Sequence, residues 1–396
     1  MTIGDAAKIR LLAAILGAGE ISRARLSELT GLSASRVTKV VAPLLESGVI
    51  EEVGLAHADG PGRPQQMLAV RRNRSAVVGI KLARTRVTGV LTDMDSQVLA
   101  RTDRKLTSIG PDAAIRAMGK VCDELRAHPA AARIPAVCVG VGLGGHVDSQ
   151  LGVCVHSGIL GWEDVAIADR LGAETGLPVV VNNDVNALAV AEHWFGKGRG
   201  VRSFAVVTMG LGVGCGLVLN DSLHTGASGL AGEFGHIPLY PDGPVCTCGN
   251  RGCLEAVGSF PAIQRMVRDE GIACRSIAQA VRLARHDDTN AGTVARQAFA
   301  IAGTALGRGL AALCNLLNLE KIILSGEGVG AHDLFAPSLE AAWRAHSFST
   351  AADDCELIFD VVDQDMWARG AACLAIQNVV SSRVILSPRQ RTATGG

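Results

Sequence analysis

From residue 76 onward the chain repeats one pattern: an apolar run rich in Val, Gly and Ala stops at a glycine or aspartate turn before the next element begins. "AVVGIKLARTRVTGVLTDMDSQVLAR" reads as two or three strands of a meander with Asp93–Ser96 as a turn. "AVCVGVGLGGHVD" is a strand running into glycines, and "LPVVVNNDVNALAVAEHWFG" is strand, polar turn, helix. "SFAVVTMGLGVGCGLVLND" is a hairpin with a glycine-rich turn, and "ALGRGLAALCNLLNLEKIILSGEG" gives a long apolar helix, a strand and a second glycine turn. Strands that end repeatedly in such turns before helices predict an α/β protein whose ligands lie at the carboxyl ends of the strands.

The first seventy residues have a different texture. "KIRLLAAILGAG" carries apolar residues at helical spacing and ends at glycines. "SRARLSELTG" follows, with Ser22 as N-cap, Leu26 and Leu29 three apart, and Gly31 as the stop. A second short helix begins after Ser33, with Val37, Val40, Val41, Leu44 and Leu45 as its buried stripe and a kink expected at Pro43. Its other face carries Ala34, Ser35, Arg36, Thr38 and Lys39, the arrangement of a helix-turn-helix. "VIEEVGLAHADGPGRPQQMLAV" then reads as strand, loop, strand, a winged hairpin whose tip offers Arg63 to a minor groove. A plain three-helix packing module with a solvated basic face is the alternative. Residues 1–75 hold ten basic and seven acidic side chains, and the first aromatic of the chain is Trp162. Without aromatics to stack on bases, single-strand and RNA binding lose ground to duplex DNA. The candidate DNA contacts are Ser33, Ser35, Arg36, Thr38, Lys39 and Arg63.

"CTCGNRGCLE" (246–255) packs three thiols into eight positions. They admit a disulfide with a spare, three small core residues, or three legs of a metal site. Eleven cysteines is an odd number, and Cys122, Cys138, Cys154, Cys314 and Cys373 sit singly in apolar runs. Scattered thiols of that kind suit a reducing compartment and oppose a disulfide framework. The apolar stretch at the N-terminus is too short to span a bilayer and no small-residue cleavage site follows it, so a cytoplasmic protein with no membrane association is expected.

The run "NNDVNALA" (182–189), the loop "TMGLGVGCG" (208–216), "EFGH" (233–236) and "CTCGNRGCLE" occur in an order and spacing that resembles the ROK family of repressors, open reading frames and sugar kinases. With a winged helix in front, the chain is similar to the repressor branch. The resemblance implies a winged helix-turn-helix over 1–72, followed over 76–390 by a two-lobed actin-like ATPase (ribonuclease H-like) fold that senses a sugar. It implies that His236, Cys246, Cys248 and Cys253 hold a structural zinc ion, which one imidazole and three thiolates satisfy without an open position. It also implies sugar binding by Asn183, Asp184, Glu233, His236 and Glu255. The implied partners are an operator in duplex DNA, a small sugar effector and further copies of the chain as a homodimer or homotetramer.

A sugar kinase using ATP on a hexose is the rival reading. In the family's kinases the aspartate matching Asp184 is the general base, and Gly210–Gly216 match a phosphate-binding turn. The first phosphate loop, Asp-x-Gly-Gly-Thr, is here "KLART" (81–85): Lys81 stands for the acid and Ala83-Arg84 for the glycines. A backbone carrying those side chains cannot approach a phosphate, and no catalytic residue is expected. Gly144-Gly145-His146 and "HSGILGW" (156–162) also depart from the family's pattern, which leaves glucose, N-acetylglucosamine, xylose and oligosaccharides all open as the effector.

Overall fold

The structure is a computed structural model and describes residues 3–56, 64–361 and 364–381. It divides into two compact units, Met1–Gly200 with Gln364–Gly396, and Val201–Asp363.

The first unit begins with α1 (Ile3–Ala18), β1 (Glu20–Ser22), α2 (Arg23–Thr30), α3 (Ala34–Glu46), β2 (Ile50–Ala56) and β3 (Gln65–Val70). Both short helices start on serine caps: Ser22 accepts from the Arg25 N–H at 3.2 Å and Ser33 from the Arg36 N–H at 3.4 Å. Gly31, at φ 66°, supplies the left-handed residue that ends α2. Val37, Val41 and Leu44 of α3 are buried, as are Leu11, Ile15 and Leu26 of the two helices before it, while Val40 and Leu45 are only half-buried, so the buried stripe is narrower than expected. Helix α3 runs on through Pro43 to Glu46. The wing strands pair antiparallel, and the three-residue β1, too short to show any periodicity, adds a third strand in the order β1-β3-β2. Arg63 lies outside the described residues.

The chain continues through β4 (Ala76–Leu82), β5 (Arg86–Asp93), β6 (Val98–Lys105), α4 (Pro111–Ala127) and β7 (Ala136–Leu143). Next come β8 (His146–Asp148), β9 (Val153–Ser157), β10 (Trp162–Ala166), α5 (Ile167–Thr175), β11 (Val179–Asn183) and α6 (Asp184–Phe195). The main sheet has the order β11-β7-β4-β5-β6, with β11, β7 and β4 parallel and β4-β5-β6 the expected antiparallel meander. The Asp93–Ser96 turn is made by Asp93, whose carboxylate accepts the Asp95 and Gln97 N–H groups at 2.9 Å, and by Ser96 at φ 58°.

The second unit repeats the plan. It contains β12 (Phe204–Met209), β13 (Val213–Leu219), β14 (Ser222–His224), α7 (Leu254–Gly258), α8 (Phe260–Asp269), α9 (Ile277–His286) and α10 (Asn290–Leu317). It closes with β15 (Lys321–Ser325), α11 (Ala336–His346) and β16 (Glu356–Phe359) in a sheet of order β14-β13-β12-β15-β16. Helix α10 is apolar and long enough to cross a membrane by length and composition. Its Phe299, Ala302, Leu306 and Leu310 lie instead in the core of this unit.

The last helix, α12 (Gln364–Ser381), belongs to the first unit. Ala368, Ala371, Ala372 and Ala375 are fully buried, and side chains this small bring the helix onto the sheet at close range. A Cβ on Gly79 of β4 or Gly140 of β7 would collide with the α12 backbone at Ala368 and Ala371. Helix α1 of the winged domain contacts both α6 and α12, so this N-terminal segment is packed onto the unit that carries Asp184.

Candidate metal centre and effector site

The sequence around the thiols dictates a tight loop. Gly249 and Gly252 take φ 92° and 69°, and a Cβ at Gly252 would collide with the Tyr240 carbonyl. The loop is pinned by the Cys246 N–H on the Asn250 carbonyl at 2.8 Å and by bridges Pro238–Cys253 and Val245–Arg251. It thereby brings His236, Cys246, Cys248 and Cys253 together, with their ligand atoms all within 4.8 Å of one another. Cys246 Sγ lies 3.5 Å from His236 Nδ1, and Cys248 Sγ lies 3.7 Å from Cys253 Sγ. A tetrahedral zinc with Zn–S of about 2.3 Å and Zn–N of about 2.0 Å spaces its ligands roughly 3.5–3.8 Å apart. The donor set and its spacing fit that ion. All eleven cysteines are free thiols, and the five that sit singly in apolar runs are buried as small core residues.

The metal-free thiols are split in character. Burial, reinforced by the neighbouring thiols, pushes Cys253 up to about 12. Burial also opposes ionisation of Cys248, but the Asn250 N–H and the Cys246 and Cys253 thiols hold it below the usual thiol range. His236 turns Nδ1 to this cluster, while its Nε2 is 3.9 Å from Glu233 Oε2. One imidazole therefore joins the metal cluster to a candidate sugar ligand. Glu255, the first acid of α7, accepts the Val213 N–H at 3.0 Å and the Thr247 hydroxyl at 3.3 Å. Thr247 follows Cys246 directly, so Glu255 too is tied to the metal loop.

In the first unit Asn183 is committed to folding. Its Oδ1 accepts the Val185 N–H at 2.8 Å as the cap of α6, and its amide donates to the Gly145 carbonyl at 3.0 Å. Asp184 begins α6 beside the carboxyl ends of β4 and β7, and its Oδ2 is ion-paired with Lys81. The Lys81 ammonium lies 4.8 Å from the centre of the Trp367 ring, a cation–π contact. Sequence reasoning noticed Lys81 only as a lost acid and overlooked Trp367. The available signal was a lysine near the end of β4, where every other residue is buried.

The glycine turn between β12 and β13 is also filled by charge. A Cβ on Gly212 would lie 2.6 Å from Glu255 Oε2, and one on Gly210 would lie 2.5 Å from Glu327 Oε2. Two carboxylates occupy the space that these glycines leave open.

On the winged domain, Ser35, Arg36, Thr38 and Lys39 are exposed along one side of α3. The Thr38 hydroxyl donates to the Ala34 carbonyl at 2.9 Å, and Ser33 is taken up by the cap, which leaves Ser35, Arg36 and Lys39 as the side chains turned most freely outward.

A ROK family profile matches residues 77–378, and a winged helix-turn-helix DNA-binding profile matches residues 5–51. The chain belongs to the ROK family. It is 28% identical to the xylose repressor of Bacillus subtilis over 93% of this chain and 94% of that protein. A glucokinase of Halalkalibacterium halodurans is 35% identical but matches only 60% of this chain and 76% of its own length. Among solved structures, a ROK family transcriptional regulator homologous to the Escherichia coli MLC protein superposes with a TM-score of 0.78 at 27% identity, covering 96% of this chain and 97% of the other. A ROK hexokinase from Thermus thermophilus gives 0.67 at 27% identity over 77% of this chain and 99% of its own. The similarity to the regulators therefore runs over nearly the whole chain, and that to these two kinases over 60% and 77% of it.

Proposed function

We propose that the protein is a sugar-responsive transcriptional repressor: an operator-binding winged helix whose DNA affinity is set by a sugar, for which the first unit offers Asn183 and Asp184 and the second offers Glu233, His236 and Glu255. The observation that carries this reading is one helix. The twelve-residue α6 starts at Asp184, and it contacts α1 of the winged domain. A ligand that shifts Asp184 pulls on the element against which the DNA-binding domain is packed. The full-length similarity to a xylose repressor and the 29% identity to the N-acetylglucosamine repressor of Escherichia coli support it. A palindromic operator requires at least a dimer, and we infer a homodimer or homotetramer acting in the cytoplasm. Zinc at the cluster of His236 and the three thiols serves as a structural cofactor that holds His236 and the Glu255 loop in place.

The glucokinase similarity raises a catalytic alternative, and the charge at both candidate phosphate contacts opposes it. Lys81 compensates the carboxylate that a kinase uses as base, and Glu327 lies against the glycine turn at Gly210. A carboxylate already paired with an ammonium is a weaker base for the proton of an attacking hydroxyl, and a carboxylate at the glycine turn repels a phosphate. We therefore read the protein as a binder and not an enzyme.

The test is a fluorescence-anisotropy titration of the operator, with and without D-xylose, D-glucose and N-acetyl-D-glucosamine, alongside an ATP-turnover assay. Coupling of about 1–3 kcal/mol corresponds to a roughly 5- to 150-fold change in operator affinity, and linkage demands the same factor in sugar affinity when DNA is present. A sugar that binds the protein yet moves operator affinity in neither direction refutes the mechanism.

A further inference from the structure

The Lys81–Asp184 pair has no counterpart in what the family resemblance assigns, and its surroundings are unusual. Strand β4 is buried at every residue except Lys81, and Lys81 pairs in register with Thr88 of β5 and Gly142 of β7. Nothing in that register needs a charge. A lysine side chain that is only 19% exposed is costly unless its ammonium is compensated, and here a carboxylate 13% exposed and an indole ring compensate it. The pair opens onto the Gly144–His146 loop: a Cβ on Gly144 would lie 3.7 Å from Asp184 Oδ2 and 3.2 Å from Ile159 Cδ1.

Resting on the sugar-sensor reading, we propose that Lys81 is a ligand-binding residue of the effector site, which with Asp184 forms a charge-neutral donor–acceptor pair that reads a hydroxyl of an uncharged sugar. The chemistry is complementary. An ammonium only donates and a carboxylate only accepts, whereas a hydroxyl does both. One sugar hydroxyl can therefore donate to Asp184 while accepting from Lys81, and each contact is charge-assisted. The lysine's charge is already met by Asp184, so a phosphate group gains no net attraction and meets a carboxylate alongside the ammonium. The pair thus selects neutral sugars over their phosphate esters.

Isothermal titration of the full-length, zinc-loaded protein tests this, using D-xylose, D-glucose, N-acetyl-D-glucosamine and the 6-phosphates of the last two. For the wild type, a neutral sugar is expected to bind, and to bind more tightly than its own ester where that ester is in the panel. Lys81→Met keeps the stem length and removes the charge; it should weaken that sugar on the order of 10- to 100-fold, the range of a hydrogen bond to a charged group. Thermal melting reports whether each variant folds. Should the unpaired Asp184 unfold Lys81→Met, the double variant Lys81→Met/Asp184→Asn removes both charges together and is expected to show the same or a larger loss. Wild-type affinity in a folded Lys81→Met or in the double variant overturns the assignment, as does tighter binding of a 6-phosphate. Binding of none of the five compounds by wild-type protein defeats the reading of a monosaccharide sensor, and the Lys81 assignment with it.

Discussion

Cys248 isolates the contribution of the metal. Cys246 and Cys253 are buried, so replacing either would mix the loss of an ion with damage to packing, whereas Cys248 is exposed. Cys248→Ser therefore reads the metal and little else. The spacing of 3.7 Å between Cys248 and Cys253 and of 3.5 Å between Cys246 and His236 suits tetrahedral zinc in a closed four-ligand site. An ion at about a thousand times its dissociation constant stabilises the folded state by about 4.1 kcal/mol. The second unit, Val201–Asp363, lies in the size range where about 1 kcal/mol moves Tm by about 2–4 °C. Removing the ion should thus lower the transition of that unit by roughly 8–16 °C. The assay is elemental analysis of protein purified without chelator, followed by calorimetry with and without EDTA. Wild type should carry about one zinc per chain, Cys248→Ser well below that, and EDTA should shift only the wild type. A zinc-free wild type, or a Cys248→Ser protein that keeps its metal and its Tm, refutes the site.

Two further outcomes follow from the same structure. Zinc affinity should fall with acid: Cys253 stands at about 12 without metal, so its proton must leave on binding at any pH below that, and apparent affinity should rise at least about tenfold per pH unit; a competition titration that shows no pH dependence between about pH 6 and pH 8 would contradict this. Arg36→Ala and Lys39→Ala, exposed on α3, should each reduce the slope of log operator affinity against log salt by about 0.9, and filter binding at several salt concentrations that leaves both slopes intact removes α3 from the DNA contact.

What could be read from sequence tracks how local the determining interactions are. The cluster of His236 with the three thiols was legible through the family resemblance, whose motifs lie within one short segment, whereas the thiols alone left a disulfide, core residues and a metal open. The caps of α2 and α3 were legible because a cap spans a few residues, as Ser22 to Arg25 does. The ion pair of Lys81 with Asp184 joins residues 103 apart, and Trp367 reaches the same ammonium from α12. No window on the sequence contains all three. The closeness of α12 to the sheet was equally hidden: Gly79 and Gly140 read as ordinary strand glycines until a helix of small residues lies against them. Helix α3 shows a limit of another kind. Periodicity placed Val40 and Leu45 on the inward face, but a domain of three short helices and a small sheet has too little core to cover them fully.

The same residues give the kinase frame and the proposed sensor different uses for one position. In a kinase the value of an aspartate at the start of α6 is that it takes a proton from a hydroxyl aimed at a phosphate, which requires an uncompensated carboxylate and an open cradle. Here Lys81 compensates the carboxylate, and Glu327 lies against the glycine turn at Gly210. In the proposed sensor Asp184 has two uses, to accept from the ligand and to begin the helix that carries the effect. It is the first residue of a helix whose cap, Asn183, is fixed to the Gly145 carbonyl and whose body contacts α1. Helices in a close-packed interior move as units, so in the proposed mechanism a ligand that redirects the Asp184 carboxylate shifts α6 against α1.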